Sequence, residues 1–336
     1  MTNFGFDWEL FNGKLALSSD YYIKNTKNIL LAYNVARETG IANSPSQNIG
    51  KVKNSGIEFA ISHRNKIGDL LYSVGLNYSY NKNKITELGT SQDMIYNISD
   101  LIRGIHRVGE PIGSYYGYRS NHKLYSQEEI ENKQYYEAFG RKPNAGDLKY
   151  LPNRENVEFG SSITGDDRVV LGSNEPTSTY GFNVNLEYKG FDLNLMGQGT
   201  AGAKIAIQMG GMPFSVSQSP RVMHRDRWTA ENQNVNAKFP RLYGGHSLDN
   251  YNWANFSDLY VFNANYLRLK TITLGYSLPK TFIKNINQIR VYVTSENLLT
   301  FKSSDLPKDY DPEESAGWGS YGYGNRSFAF GINVTF

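Results

Sequence analysis

The first candidate for chemistry in this sequence is a glycine-rich stretch. GQGTAG, residues 197–202, matches the GxGxxG pattern that holds the phosphates of a dinucleotide. That binding needs a helix directly after the glycines, because the free N–H groups of a helix N-terminus contact the phosphate. The residues that follow, AKIAIQ, carry no helix signal, and a long alternating segment precedes the glycines. We therefore interpret the glycines as positions where a strand bends or packs closely against a neighbour.

Metal binding is the second possibility, and it needs several His, Asp or Glu side chains at a spacing that brings them together. The histidines are isolated from one another and from acidic residues at such a spacing; they are His63, His106, His122, His224 and His246. Two acidic groups have the oxygen chemistry of a calcium site: Asp166 with Asp167, and Asp309, Asp311, Glu313 and Glu314 together. Acidic turns are the commoner explanation of such groups, so we predict no metal and no cofactor.

Enzymatic and nucleic-acid-binding functions find no support in the sequence. The chain has no cysteine, which excludes thiol catalysis, disulfides and cysteine zinc sites. No segment resembles the strand–turn–helix that exposes a nucleophilic serine. The formal net charge is +3 over 336 residues without a run of basic residues, whereas a nucleic-acid-binding surface is strongly basic. We therefore predict that the protein is not an enzyme and does not bind nucleic acid.

Aromatic side chains outside the regular pattern are the remaining candidates for ligand contact. Tyr251 stands near Trp253, and Trp318 stands near Tyr321, in segments without strand alternation. Sugars present apolar faces that stack on aromatic rings, so these four residues are candidate ligand contacts. The alternative is that they pack the loops against one another or against a partner protein.

The elements that must position these residues are β-strands. The final segment, SFAFGINVTF, places Phe328, Phe330, Ile332, Val334 and Phe336 on one face, with small or polar residues between them. The same alternation recurs along the chain. It predicts strands at about 3–11, 14–26, 48–63, 70–82, 178–189, 191–203, 262–277, 286–297 and 325–336.

The connections between these strands favour a membrane barrel. Most of the strands reach the roughly 9–11 residues that a tilted strand needs to cross a bilayer. The connections alternate strictly between short and long, and the long ones lie at about 27–47, 83–177, 204–261 and 298–324. Outer-membrane barrels have short periplasmic turns and long extracellular loops. The sequence therefore predicts an all-β fold, a transmembrane antiparallel β-barrel, with those four long loops extracellular.

Alternation also assigns each strand residue to the lipid or to the lumen. The apolar positions would contact lipid, and Trp8, Tyr188 and Tyr276, near strand ends, would lie in the interfacial aromatic girdles. The predicted lumen-facing residues include Asn77, Ser79, Asn183, Asn185, Glu187 and Asn333.

Three local features are predicted as well. Ser126 followed three residues later by Glu129 predicts a capped helix inside the second long loop. RVMHRDRW, residues 221–228, predicts a helical turn in the third. A change of phase near Lys270 predicts a β-bulge or a change of environment there.

The number of strands bears on the extent of the barrel. Nine is odd, whereas single-chain bacterial barrels have an even number of strands. Closing these nine on themselves would also leave the first strand running in the same direction as the last. We therefore expect further strands before Met1, with residues 1–336 as the C-terminal part of a larger outer-membrane barrel.

Several stretches resemble the C-terminal region of SusC/RagA-type TonB-dependent outer-membrane transporters. They are NIGKVKNSGIEFAISHR (48–64), GEPIGSYYGY (109–118), DDRVVLGSNEPTSTYGFNVNLEYKGFDLNLMGQGTAG (166–202), DRWTAEN (226–232), NANYLRLKTITLGYSLPK (263–280), IRVYVTSENLLTFKSSDLPKDYDPE (289–313) and the closing strand. Each motif alone is weak, but the set in this order is specific and covers nearly the whole chain.

This resemblance implies a 22-stranded barrel, of which these are the last nine strands, with the plug domain absent from the chain. It implies import of large nutrients, glycans or oligopeptides, energised by TonB through the missing N-terminal plug region. A SusD-like surface lipoprotein would cover the barrel. The outer-membrane barrel assembly machinery would recognise the last strand, with Phe328, Phe330 and the terminal Phe336. Family members often carry an acidic, glycine-rich stretch after the segment that corresponds to GDLKY (146–150); it is replaced here, so no metal site is implied.

Two other classes of protein remain as alternatives. A secreted or surface β-sandwich that binds carbohydrate would explain the aromatic residues and the alternation, but not the placement of all long loops at one end. An outer-membrane enzyme has no supporting constellation of residues.

Overall fold

The structure is a computed structural model, and it describes residues 1–32, 45–89, 93–98, 102–207, 222–243, 251–252, 256–279, 286–308, 310–313 and 324–336. In these ranges the strands are β1 (Thr2–Leu10), β2 (Leu15–Ala32), β3 (Ser46–Ile67), β4 (Leu70–Glu87), β5 (Met94–Asn97), β6 (Arg103–His106), β7 (Ser114–Leu124), β8 (Glu137–Ala138), β9 (Leu148–Leu151), β10 (Ser162–Ile163), β11 (Arg168–Ser173), β12 (Ser178–Tyr188), β13 (Phe191–Ala201), β14 (Lys204–Ala206), β15 (Val261–Asn263), β16 (Tyr266–Ser277), β17 (Gln288–Lys302) and β18 (Ser327–Thr335). The helix α1 spans Gln127–Glu131, and short 3-10 helices span Gly165–Asp167, Val222–Asp226 and Asp258–Tyr260. No helix in these ranges combines the length and the apolar character that crossing a membrane requires.

The long strands form a single sheet, in the order β1-β2-β3-β4-β12-β13-β16-β17-β18, with every neighbouring pair antiparallel. These are the nine predicted strands, which are thereby confirmed. The strand β3 is longer than predicted, with 22 residues, because its pairing with both neighbours continues past the alternating apolar segment. At about 3.3 Å per residue it is about 70 Å long, more than twice the thickness of a bilayer core. One continuous sheet is not a sandwich of two, so the β-sandwich alternative is wrong.

The register of the sheet carries the alternation of each strand across to the next. Leu76 pairs with Phe182, and Val293 pairs with Phe330, so apolar side chains form rows on one face of the sheet. Many of these side chains are exposed, and Phe330 is 84% exposed. A broad exposed apolar face needs an apolar surrounding, which a bilayer provides to the outer face of a barrel.

The sheet contains a tight turn and one predicted irregularity, and the predicted irregularity is confirmed. Lys189 and Gly190 join β12 to β13 with φ angles of +47° and +86°, as expected for a tight turn whose twist matches that of the strands. The register between β16 and β17 shifts between Leu269 and Thr271, which is a β-bulge at Lys270.

The glycines of the GxGxxG match lie inside a strand. Gly197 and Gly199 belong to β13, and the strand β14 follows instead of a helix. A Cβ atom at Gly197 would lie 2.2 Å from the ring of Phe182. The interpretation that these glycines allow close packing is therefore confirmed.

Replacing Gly199 by alanine should destabilise the sheet by about 1–3 kcal/mol. A Cβ atom there would lie 2.2 Å from the carbonyl oxygen of Tyr266, which is backbone and cannot move aside as a flexible side chain would. The measurement is unfolding of the lipid-reconstituted protein in increasing urea. Gly165→Ala is the control, since its nearest neighbour would be 3.9 Å away. Equal stability of the two variants would contradict the prediction.

The described parts of three long connections, residues 88–177, 203–265 and 303–313, fold together at one end of the sheet, and we call this unit the cap. Its strands form a sheet in the order β11-β7-β6-β5, with β9 paired to β7. The pair β14 and β15 continues the antiparallel pair of β13 and β16 into the cap. Most buried apolar residues of the described ranges lie here, and many are tyrosines: Tyr115, Tyr118, Tyr125, Tyr150, Tyr251 and Tyr260. Among the described residues, the larger hydrophobic core therefore lies in the cap, and a smaller cluster of Val52, Ile85 and Leu88 lies where β3 begins and β4 ends.

The cap also contains the two predicted helical features. The backbone N–H of Glu129 donates to the Ser126 hydroxyl at 3.2 Å, and the backbone N–H of Ser126 donates to the Glu129 carboxylate at 2.9 Å. This reciprocal pair is the predicted capping box at the start of α1. The predicted turn at 221–228 is the 3-10 helix Val222–Asp226.

Candidate functional site

The polar face of the long sheet is the first part of the candidate site. The predicted lumen-facing side chains share this face by register: Asn77, Ser79, Asn183, Asn185, Glu187 and Asn333. The hydroxyls of Thr273 and Thr294 are 2.8 Å apart, and Nε of Arg290 donates to Asp192 at 2.9 Å. A surface of amides, hydroxyls and paired charges can bind polar solutes reversibly, without covalent chemistry.

Two hollows lie along this polar face, one over the strands and one under the cap. One, of about 430 Å³, is bordered by Asn77, Asn183 and Gln198. The other, of about 330 Å³, lies between the strand ends and the cap and is bordered by Lys204 and Glu313. Tyr266 borders both hollows, so they adjoin at its side chain.

The side-chain carboxylate of Glu313 accepts four hydrogen bonds at this junction. Oε1 of Glu313 accepts hydrogen bonds from the amide of Gln198 at 3.1 Å and from the hydroxyl of Tyr266 at 2.8 Å. Oε2 accepts from Arg268 at 2.6 Å and from Lys270 at 2.8 Å. We call the four donors Gln198, Tyr266, Arg268 and Lys270 the carboxylate site. Both oxygens of Glu313 are thus fully satisfied, and charge-assisted bonds of this kind are the strong ones.

Arg268 is the centre of the carboxylate site. Its side chain is 5% exposed, its Nε donates to the hydroxyl of Thr300 at 2.9 Å, and its second terminal nitrogen donates to Asp311 at 2.6 Å. Partial burial raises the pKa of Glu313, but hydrogen bonds from Lys270 and Tyr266 and the charge of Arg268 outweigh it and lower the pKa below its ordinary value. The carboxylate is therefore ionised at neutral pH.

Sequence reasoning did not find the carboxylate site. The available signal was the change of phase near Lys270, together with two basic residues, Arg268 and Lys270, in an otherwise uncharged strand. Strict alternation would place Arg268 and Lys270 on the same face as Ile272 and Leu274. The bulge separates them, so that Arg268 and Lys270 lie on the polar face and Ile272 and Leu274 lie on the apolar face.

A second carboxylate lies wholly inside the cap. Asp147 is 0% exposed. Its Oδ1 accepts from Arg241 at 2.8 Å and from Asn252 at 3.0 Å, and its Oδ2 accepts from Tyr243 at 2.7 Å and from the backbone N–H of Asn144 at 2.8 Å. These four partners come from three separate segments of the cap, so Asp147 ties the segments together. Its place in GDLKY did not predict this role.

Of the acidic pair Asp166 and Asp167, Asp167 binds the guanidinium of Arg154. Burial alone would raise the pKa of Asp167, but hydrogen bonds from Arg154 and from the backbone of Thr164 and Asn153 lower it to about 2. In the other acidic group Asp311 and Glu313 are paired with Arg268, while 309 and 314 lie outside the described residues. Among the residues that the structure describes, no three His, Asp or Glu side chains gather as metal ligands would.

The histidines that the structure describes lie apart from one another. His63 lies beside the ring of Tyr72, His106 beside Tyr96, His224 beside Phe239, and His122 is 3.7 Å from Asp258. His246 is outside the described ranges.

The aromatic residues proposed to contact ligand are only partly placed by the structure. Tyr251 is buried in the cap, where its hydroxyl donates to the carbonyl oxygen of Tyr136 at 2.9 Å. Its position corresponds to the alternative in which aromatic residues pack the loops together. Trp253, Trp318 and Tyr321 lie outside the described residues. Phe328, Phe330 and Phe336, the residues of the proposed assembly signal, are all exposed at the edge of the sheet.

Comparison with known proteins agrees with this architecture. Residues 2–101 match the family model described as TonB dependent receptor-like, beta-barrel. The chain is 31% identical to TonB-dependent receptor P3 of Formosa agariphila, in an alignment that covers 99% of this chain and 33% of that protein. It is 24% identical to TonB-dependent receptor SusC of Bacteroides thetaiotaomicron, over 99% of this chain and 31% of SusC. These relatives are receptors, not enzymes.

The fold is also that of a solved structure. The RagAB peptide transporter matches with a TM-score of 0.75 at 22% identity, over 99% of this chain and 35% of that one. The chain thus spans about a third of the length of the curated relatives that it matches. The long single sheet with its exposed apolar face agrees with these similarities in sequence and fold. The chain belongs to the SusC/RagA family of TonB-dependent receptors, as part of an outer-membrane β-barrel.

Proposed function

We propose that this chain forms part of the wall of a TonB-dependent importer of large nutrients. The observation that carries the proposal is the two-faced sheet, with exposed apolar rows on one side and a continuous polar face on the other. The polar face would line a path for polar solutes, and the cap would lie over its outer end. In this reading the four long connections, at about 27–47, 83–177, 204–261 and 298–324, are extracellular.

The substrate class proposed is glycans or oligopeptides. One support is the similarity to a receptor named SusC, and another is the likeness to a solved peptide transporter. A face of amides and hydroxyls suits both classes, because each presents many hydrogen-bonding groups. Among the residues that the structure describes, the polar face offers no set of side chains that would attack either kind of chain.

Partners follow from the same reading. A SusD-like surface lipoprotein would dock over the cap and deliver substrate, and TonB would act through a plug carried elsewhere in such a receptor. Trp253, Trp318 and Tyr321 remain proposed contacts for substrate or for this lipoprotein. The barrel assembly machinery would insert the protein through its last strand.

The test is uptake by cells that lack the gene. Labelled oligosaccharides and oligopeptides of equal mass would be supplied to wild-type cells and to the deletion strain, with and without a protonophore. Loss of energy-dependent uptake of one class in the deletion strain is expected. Unchanged uptake of every oligomer would contradict the proposal. Co-purification of a surface lipoprotein with the tagged receptor tests the partner separately.

Removal of Phe336 is expected to lower the amount of receptor inserted in the outer membrane several-fold. The aromatic ring closes the last strand, is exposed, and is therefore available to the assembly machinery. The measurement is a quantitative immunoblot of outer-membrane fractions. Phe336→Trp is the control, because it keeps an aromatic end and should insert normally. Equal amounts of the truncated and wild-type receptors would argue against the signal.

A further inference from the structure

We propose that the carboxylate site recognises carboxylate groups of the imported substrate, and that Glu313 is an internal ligand which the substrate displaces. The inference rests on the proposed function, and it narrows the substrate to an oligomer that carries carboxylates. Such groups occur in uronic-acid glycans and in peptides with free C-termini or acidic side chains.

The four hydrogen-bond donors of this site lie on rigid elements. Gln198 lies within β13, and Tyr266, Arg268 and Lys270 lie within β16. Thr300 on β17 orients Arg268 through its hydroxyl. Side chains held by paired strands keep their positions when a ligand leaves, so the four donors would remain arranged for another carboxylate.

The carboxylate that these donors bind comes from a connection and not from a strand. Glu313 follows β17 in the last long connection, and its side chain is 27% exposed. It borders the hollow of about 330 Å³ under the cap, with Lys204 on the same hollow. Solute in this hollow would therefore meet Glu313 at the carboxylate site, with a further cation nearby.

The charge of Arg268 makes the exchange selective. Its guanidinium is almost fully buried, and its partners are the carboxylates of Glu313 and Asp311. Loss of Glu313 without a replacement would leave buried positive charge poorly compensated, which is strongly unfavourable. A neutral hydroxyl cannot supply that compensation, whereas a second carboxylate restores the same charge-assisted bonds. The site therefore favours release of Glu313 in exchange for an anion.

The competing explanation is that Glu313 is a permanent clamp that fixes the last connection to the wall. The two explanations predict different changes in the affinity for carboxylates when Glu313 is replaced by glutamine. If Glu313 competes with substrate, Glu313→Gln removes the competing charge and binding of a carboxylate becomes tighter. If Glu313 only holds the wall and connection together, the same change leaves binding equal or weaker.

The experiment measures binding to the purified full receptor in detergent by calorimetry. The probes are trigalacturonate and its methyl ester, and tetra-alanine and its C-terminal amide. We expect Glu313→Gln to bind trigalacturonate or tetra-alanine about fivefold more tightly, with no change for the corresponding methyl ester or amide. We expect Lys270→Gln to bind the same acidic probe at least threefold more weakly. Glu128→Gln is the control; it makes the same change of charge at an exposed residue in the first turn of α1, outside the polar face of the sheet, and no change is expected.

The acid whose binding changes identifies the source of the carboxylate, uronate or peptide. Unchanged or weaker acid binding by Glu313→Gln, an equal gain for neutral probes, or no acid binding by any protein would overturn the inference. Heat-dependent gel migration confirms that each variant is folded. If the deletion strain lost uptake of neutral oligomers, that result would still support the proposed importer even though the carboxylate inference had failed. The inference and the proposed function can therefore fail separately.

Discussion

Replacing Phe330 by arginine is expected to prevent most of the receptor from assembling in the outer membrane. Phe330 lies six residues before Phe336 on β18 and points to the apolar face. At about 3.3 Å per residue and a tilt of about 40°, this places it about 15 Å from the strand end along the bilayer normal, near the midplane. An arginine facing lipid at that depth costs about 2–4 kcal/mol. The measurement is the folded fraction in lipid vesicles against urea, together with the outer-membrane level in cells.

The control for this prediction is the neighbouring residue on the other face. Ala329 pairs with Thr294, whose hydroxyl contacts Thr273 on the polar side. Ala329→Arg therefore directs the same charge toward the lumen, where water can solvate it, and should assemble normally. If Phe330→Arg also assembled normally, β18 would not face lipid at that position.

Replacing Asp147 by asparagine should unfold the cap while leaving the barrel sheet intact. The change removes the charge that compensates Arg241, and it turns an amide N–H group toward donors that previously faced an acceptor. Removing one partner of a buried ion pair typically costs about 3–5 kcal/mol. The cap has its own hydrophobic core and the sheet has its own hydrogen bonds, so the loss should be local. Limited proteolysis of intact cells, read by mass spectrometry, should show new cleavage within residues 88–177.

Asp166→Asn is the matched control for the cap. Asp166 adjoins the buried Asp167 but is itself exposed, and surface substitutions of this kind change stability by about 0.5 kcal/mol or less. Its cleavage pattern should equal that of the wild type. A cap as resistant in Asp147→Asn as in this control would show that the buried carboxylate does not hold its segments together.

Much of the barrel wall was predictable because its physical requirements are local. A strand between lipid and water must alternate, so Phe182, Val184 and Leu186 identify both the strand and its lipid face without reference to any neighbour. The short turn at Lys189-Gly190 and the capping box at Ser126 are equally local, since each is completed within a few residues. The phase change at Lys270 revealed the bulge for the same reason.

The cap was not predictable in this way. Its strands are mostly short and several are buried, as with Leu148 and Tyr150, so they lack the length and the alternation that mark a strand in sequence. Tyr251 illustrates the difficulty, because a tyrosine in a connection is equally suited to stacking on a sugar and to filling a core. Only the packing of neighbouring segments decides which occurs.

Alternation along single segments was enough to locate the strands, their two faces and their order of short and long connections, and the resemblance to a family added the kind of receptor to which they belong. The contacts between Asp147 and Arg241, and between Glu313 and Arg268 across 45 residues of chain, follow only from the completed fold. The two kinds of feature differ in the range of the interactions behind them. Alternation is a property of one strand in its solvent, whereas pairing of buried charges depends on which distant segments the completed fold brings within about 3 Å of each other.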